Sequence, residues 1–173
     1  MPEWRGECIL LSVKPHGENN SIASIFSRNH GRYSGLVFGG NSSKNKSLFQ
    51  KGNYLSACWN ARLSEQLGTF KFNLEKSIAA KFINNPLQLA ALNSVCCTID
   101  SLLPEREPNP LIFDATIDLF NVINMSTTNN HKWLEGYIRW EIGLLSKLGF
   151  SLQLNECIVS KVKNNLAFVS PKT

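Results

Sequence analysis

Alternating apolar and polar residues in the first half of the chain predict a series of short strands. The clearest alternation runs from Asn53 to Leu63 and places Trp59 on the more apolar side. A period of two is typical of a strand with one buried face, so Trp59 is predicted to be a core residue. Five strands are predicted in this way: Glu7–Lys14, Ser21–Arg28, Arg32–Phe38, Asn53–Leu63 and Thr69–Glu75.

A helical spacing of apolar residues replaces this alternation after residue 80. Asn85-Pro86 and Asn109-Pro110 each supply an N-cap and a proline at the first helical position. They predict the starts of two helices, and Pro104 ends the first. A third helix is predicted over Lys132–Leu148, and Glu105–Glu107 is predicted to be an exposed charged link.

These elements predict an α+β protein in two parts. No helical pattern among the five strands is long enough for a parallel crossover, so we predict a five-stranded antiparallel barrel of the oligonucleotide-binding (OB-fold) type. A small open sheet of another topology is the alternative. An α-helical bundle domain is predicted to follow, with the two domains spanning residues 1–80 and 81–173.

The positive charge lies in the first half of the chain. There are 18 Lys and Arg residues against 13 Asp and Glu, which gives a net charge of +5. Residues 1–80 hold ten of the bases and five of the acids, whereas residues 81–173 hold eight of each. This asymmetry favours a basic binding module joined to a neutral packing module, with a generally basic surface as the alternative.

Candidate phosphate contacts are concentrated around the third predicted strand and the loop that follows it. The loop, residues 39–52, combines two adjacent glycines with three lysines and no acid. Lysines there would bind a nucleic-acid backbone without reading its sequence. The predicted DNA-binding residues are Arg28, Arg32, Lys44, Lys46, Lys51 and Arg62. Tyr33, Phe49 and Tyr54 are candidates for base stacking, with ordinary packing as the alternative for each.

The third predicted helix is a second candidate surface. It carries Trp133, Tyr137 and Trp140 beside Lys132 and Arg139. Aromatic residues flanked by bases would suit an acidic peptide with apolar side chains. The predicted partner-binding residues are therefore Lys132, Trp133, Arg139 and Trp140, although core packing of the aromatic residues is the favoured alternative.

Catalysis and metal binding have little support in the sequence. There is no nucleophile elbow or phosphate-binding motif, and no histidine has a local catalytic partner. The cysteines are odd in number and lack a Cys-x-x-Cys, which predicts reduced thiols in the cytoplasm, no metal and no cofactor. A hydrolase with a Cys and a His paired in space is a remaining alternative.

Several runs together resemble the bacterial recombination mediator family RecO. They are Glu3–Glu18, Phe26–Arg32, Leu48–Asn53, Leu166–Thr173 and, most specific of all, Tyr137–Phe150, which ends in Leu-Gly-Phe. The resemblance covers essentially the whole chain. Its C-terminal run, Leu166–Thr173, resembles an alphaproteobacterial version of the family. It implies an OB fold followed by a helical domain, without enzymatic activity.

The resemblance also implies a set of partners. Family members bind single- and double-stranded DNA, anneal complementary strands and, with RecR, help to load RecA on strands coated by single-stranded DNA-binding protein. The acidic C-terminal tail of that coating protein is expected to bind the helical domain. A protein-assembly adaptor that no longer binds DNA is the alternative.

Three departures from the family pattern change these expectations. Ser160 stands where some members have the second cysteine of a zinc-binding Cys-x-x-Cys that begins at Cys157, so zinc is expected to be absent. The loop after Gly40 has fewer bases than is common, so a reduced DNA affinity is expected. Family members continue through further helices, so we expect a C-terminally shortened form, with loss of activity as a further alternative.

Overall fold

Five strands precede three α-helices in the chain. The computed structural model describes residues 1–40, 42, 45–125, 133–150, 156–157, 159–164 and 166. The strands are β1 Glu3–His16, β2 Asn20–Ser27, β3 Gly31–Val37, β4 Tyr54–Asn60 and β5 Thr69–Lys76. A 3₁₀-helix, Ala79–Phe82, leads to helices α1 Pro86–Leu102, α2 Pro110–Met125 and α3 Trp133–Lys147. The predicted α+β class is confirmed.

The strands are hydrogen-bonded in the order β1-β2-β3-β5-β4, and β4 pairs back to β1. Neighbouring strands are antiparallel except β3 and β5, which meet in parallel at the single pair Leu36–Thr69. The prediction of a purely antiparallel sheet is therefore wrong at this contact. Directions cannot alternate around a ring with an odd number of strands, so at least one neighbouring pair has to be parallel.

The middle of the long strand β1, Cys8 to Leu11, is buried on both faces. Cys8 and Leu10 pack with Trp59 in a core enclosed by the strands, whereas Ile9 and Leu11 pack against the helices. Trp59 is only 1% exposed, which confirms its predicted place in the core. Because the helices and one face of the sheet share a core, the division at residue 80 and the bundle description of the helices stay predictions.

The sequence signals for the helix starts agree with the structure. The side chain of Asn85 accepts a hydrogen bond from the Gln88 backbone N–H at 3.3 Å, as expected of an N-cap. Helix α2 begins at Pro110. Helix α1 ends at Leu102, two residues before Pro104, because the residue that precedes a proline is disfavoured in the helical conformation.

Candidate nucleic-acid interface

The loop between β3 and β4 carries two of the predicted lysine contacts in exposed positions. Lys46 and Lys51 are both exposed, and no acid among the described residues forms an ion pair with either. The Nζ atom of Lys51 lies 3.7 Å from the Sγ atom of Cys97 on α1. Lys44 lies outside the described residues. The two described lysines thus present positive charge that a polyanion can reach.

Asn53, at the end of this loop, holds it in place from inside the protein. The residue is fully buried, and its amide nitrogen donates to the backbone oxygens of Ser47 at 2.8 Å and Leu48 at 3.2 Å. Its amide oxygen accepts from the Ala79 N–H at 3.3 Å, which ties the loop to the 3₁₀-helix. Asn53 was not among the predicted site residues. Its sequence signals were a Gly-Asn pair before a strand and its place in the Leu48–Asn53 run that resembles the family.

A cavity of about 290 Å³ opens between the β1–β2 hairpin and this loop. The loop lies close against β2, since a Cβ atom at Gly40 would come within 2.7 Å of the Ser21 Cβ atom. Phe49 packs its ring at 78° to that of Phe72, with the centroids 6.1 Å apart. The cavity is lined by Val13, Pro15, Ser21, Gly40, Ser42, Lys46 and Phe49. Of the predicted DNA-binding residues that the structure describes, Lys46 is the one in this lining.

Arg28, at the end of β2, makes a bidentate ion pair with Asp114 of α2. Its Nε and Nη2 atoms each lie 2.8 Å from a different carboxylate oxygen. Hydrogen bonds from Arg28 lower the pKa of Asp114. The two side chains are about half exposed, at 52% and 47%. A phosphate could therefore reach Arg28, but it would have to compete with a carboxylate that already fills the guanidinium fork.

Arg32, on β3, is much less accessible and belongs to the contact between the sheet and the helices. Its side chain is 19% exposed and lies 3.2 Å from a Glu105 carboxylate oxygen and 3.8 Å from one of Asp100. Its Nε atom donates to the Leu103 backbone oxygen at 2.7 Å. Asp100 also accepts the hydroxyls of Ser12 at 2.9 Å and Ser24 at 2.6 Å. These contacts favour a structural role for Arg32.

The segment after α1, predicted to be an exposed charged link, has Glu105 and Glu107 exposed but packs Arg106 against β3 and the β4–β5 loop. Arg106 adopts a positive φ of 63°, and its guanidinium lies 4.9 Å from the centre of the Tyr33 ring. The same group donates to the backbone oxygens of Ser64 and Gln66. Arg106 was not among the predicted functional residues. Its partners are at least 40 residues away in the chain, so no local pattern could indicate them.

The stacking candidates have different surroundings. Tyr33 is 8% exposed and belongs to the core inside the strands, where it contacts Trp4 edge to face. Tyr54 donates its hydroxyl to Glu7 at 2.7 Å. Phe49 lines the cavity.

Arg62 is exposed on the β4–β5 loop, next to the end of β4 that pairs with the start of β1. The cavity adjoins the opposite end of β1, so Arg62 and the cavity lie at different ends of that strand.

The aromatic residues predicted to bind a partner on α3 lie mainly inside the protein. Trp133 is 2% exposed and Trp140 is 6% exposed. The indole N–H of Trp140 donates to the Thr116 hydroxyl at 3.0 Å, which satisfies its polar group within the core. The surroundings of the two tryptophans thus agree with core packing, the alternative to partner binding. Lys132 lies outside the described residues.

A shallow groove of about 330 Å³ runs between α2 and α3. Arg139 borders it with an exposed side chain that is paired to Glu135, one turn earlier, at 2.6 Å. Asp118 borders it from α2. The groove is lined by Ala115, Asp118, Leu119, Val122, Gly136, Arg139 and Trp140. Its apolar floor and mixed charges suit a short peptide segment better than a nucleic-acid backbone.

Comparison with known proteins assigns the chain to a family. Residues 1–77 match the sequence profile described as Recombination protein O N terminal. Residues 83–173 match the profile described as Recombination protein O C terminal. The chain belongs to the RecO family.

RecO proteins of alphaproteobacteria are similar to this chain along its whole length. The DNA repair protein RecO of Rhodospirillum centenum is 46% identical over 173 residues, which cover 99% of this chain and 67% of that protein. Those of Rhodospirillum rubrum and Cereibacter sphaeroides are 38% and 40% identical and are covered to 69% and 70% of their lengths. These matches confirm the family predicted from the sequence.

Ser160 is the residue on which the expectation that zinc is absent depends. The backbone N–H of Ser160 donates to the Cys157 Sγ atom at 3.4 Å. Hydrogen bonds from Ser160 lower the pKa of the Cys157 thiol. In the described part of the chain, no group of three or more His, Cys, Asp or Glu residues is placed to hold a metal ion. None of the described helices is long and apolar enough to cross a membrane.

Proposed function

We propose that this RecO-family chain is a non-catalytic mediator of DNA repair and recombination in the cytoplasm. It would bind single- and double-stranded DNA, anneal complementary strands and, with RecR, help to load RecA onto strands coated by single-stranded DNA-binding protein. The observation that carries the proposal is the match to both RecO profiles, which together cover residues 1–77 and 83–173.

The sheet supports the DNA-binding part of this proposal. The strand order β1-β2-β3-β5-β4, with β4 returning to β1, is the order expected of an OB-fold barrel. The polar groups on the outer side of β1, β2 and β3, represented by Ser12, Ser24 and Arg32, are occupied by Asp100 and its neighbours. We therefore place DNA on the exposed cationic positions that lie outside this Asp100 network.

The proposed phosphate contacts are those that the described acids leave available. Lys46, Lys51 and Arg62 are exposed, and Lys44 joins them as a prediction from the sequence. Arg28 would contribute when a phosphate displaces Asp114, whereas Arg32 is proposed to hold the sheet against the helices. Contacts of this kind give binding that depends on salt and tolerates different sequences.

Annealing of two complementary oligonucleotides tests the proposed activity. The rate of duplex formation, followed by fluorescence quenching between end labels, is expected to rise when the protein is added at low salt. Screening of both phosphate backbones by one basic surface is the physical reason. A folded protein that binds the single strands but leaves the pairing rate unchanged would contradict annealing as its activity.

A second proposed function is docking of a protein partner in the α2–α3 groove. Arg139 at the border and the apolar floor suit the acidic tail expected of single-stranded DNA-binding protein. Glu135 and Asp118 oppose it, so binding is expected to be weak and sensitive to salt.

A fluorescent acidic peptide ending in an apolar residue tests this docking site. Arg139→Ala is expected to weaken binding several-fold, whereas Lys147→Ala removes the same charge from an exposed position on the same helix. An equal effect of both variants would show only a general electrostatic attraction between the peptide and the protein. It would contradict a specific site in the α2–α3 groove. Lys132, Trp133 and Trp140 stay predictions for this site, and of the two tryptophans Trp140 lines the groove.

A further inference from the structure

The cavity beside Lys46 has the size of a small ligand site. At about 290 Å³ it lies just below the range of about 300–1,000 Å³ that is usual for ligand pockets. A pocket of this size suits a single nucleobase better than a larger ligand. Among the described residues, its walls come from the β1–β2 hairpin and from the loop that Asn53 anchors.

The chemistry of the lining suits a flat ring that is attached to an anion. Val13, Pro15 and Phe49 supply apolar and aromatic surface, and Lys46 supplies the positive charge. None of the described residues that line it is acidic. Base stacking on aromatic side chains is tolerant of sequence because every base presents a π face.

We propose that this cavity receives one unpaired base of single-stranded DNA against Phe49, while Lys46 binds the adjoining phosphate. The inference rests on the proposed DNA-binding function and adds a contact to bases, which backbone binding does not include. A base within a duplex is paired and stacked and cannot enter, so the site favours single strands over duplexes.

Oligonucleotides with and without bases test the proposal directly. We would compare a short oligothymidylate with an oligonucleotide of the same length in which every nucleotide is an abasic tetrahydrofuran analogue. The parent protein is expected to bind the oligothymidylate about tenfold more tightly, because each stacked base adds affinity that the abasic backbone lacks.

Three variants separate the two contacts. Phe49→Leu keeps an apolar side chain against Phe72 but is expected to remove most of the difference between the oligonucleotides. Lys46→Ala is expected to weaken binding of both by the same factor. Lys71→Ala, an exposed position on β5, serves as the control for a lost surface charge.

The outcomes distinguish this inference from the proposed function. Equal binding of both oligonucleotides by the parent protein, or an equal effect of Phe49→Leu on both, would overturn the base site and leave backbone binding intact. Failure of a folded sample to bind either at low salt would overturn both. If Phe49→Leu does not fold, photocrosslinking of 5-iodouracil DNA to the parent protein decides: a crosslink in the peptide with Phe49 supports the site, and crosslinks only elsewhere overturn it.

Discussion

At the scale of single residues, Arg28 and Arg32 show how the same side chain acquires different roles from its surroundings. Arg28 is half exposed and pairs with one carboxylate, Asp114. Arg32 is largely covered and contacts Asp100, Glu105 and a backbone oxygen at once. A covered network leaves uncompensated groups when one member is removed, whereas an exposed pair is easily replaced by water.

Replacement of Arg32 is expected to destabilise the protein much more than replacement of Arg28. Arg32→Ala should lower the free energy of unfolding by about 2 kcal/mol, because it leaves part-buried carboxylates without their cationic partner. Arg28→Ala should have little effect on stability. Urea unfolding of both variants checks this, and equal midpoints for the two would contradict the structural role of Arg32.

Asp114 binds the guanidinium of Arg28 in the way that a phosphate would, so removal of its charge should favour DNA binding. Asp114→Asn is expected to raise affinity for single-stranded DNA a few-fold at low salt, with the gain lost as salt screens the contact. Asp118→Asn removes the same charge one turn further along α2, from a residue that lines the α2–α3 groove. Anisotropy titrations that show equal gains for both variants would indicate a change in net charge only.

His30 makes stability dependent on pH. Burial lowers its pKa in the folded protein, where its ring stacks on Trp4 with centroids 4.2 Å apart. Below the unfolded value of about 6.5 the unfolded chain takes up a proton that the folded state resists, so stability is expected to fall as pH decreases.

The contribution of His30 can be isolated by substitution. Between about pH 7 and about pH 5, His30→Gln should lose stability less steeply than the parent protein. His16→Gln, in the exposed hairpin, is the control and should keep the parent's slope. Urea midpoints that fall equally in the parent and the His30→Gln variant would show that another group is responsible.

At the scale of elements, the strands and helix starts were predictable because their signals are local. The alternation around Trp59 and the Asn-Pro pairs before α1 and α2 each fit within one element. The pairing of Arg32 with Glu105 joins residues 73 apart, and Arg106 reaches a loop 40 residues away. Such contacts depend on how the elements pack, and the periodicity of the sequence does not encode that packing. The sequence therefore predicted individual site residues but not the surface on which they lie.

The loop between β3 and β4 depends on one buried side chain for its position. Asn53→Ala is expected to lower the free energy of unfolding by about 1–3 kcal/mol, since backbone groups of Ser47, Leu48 and Ala79 lose their partner in the interior. Asn73→Ala, at an exposed position on β5, should be close to neutral. Similar thermal midpoints for the two variants would contradict the anchoring role.

At the scale of the whole molecule, the helices decide which part of the sheet is available to a ligand. α1 and the segment after it take up polar groups on β1, β2 and β3, so the proposed phosphate contacts Lys46, Lys51 and Arg62 lie on the β3–β4 and β4–β5 loops. The sequence indicated that the charge lies in the first half of the chain. It could not show which bases face acids, because those acids come from the second half.

The central claim is that phosphate contacts from the β3–β4 loop bind DNA. The most direct test is the affinity of the folded chain for a labelled single strand over a series of salt concentrations, with a Lys46→Ala/Lys51→Ala variant and Lys147→Ala as the control. The affinity should fall steeply with salt, and the loop variant should have a log–log slope shallower by about 0.7 for each lost contact. No binding at low salt, or an unchanged slope in the loop variant, would contradict the claim.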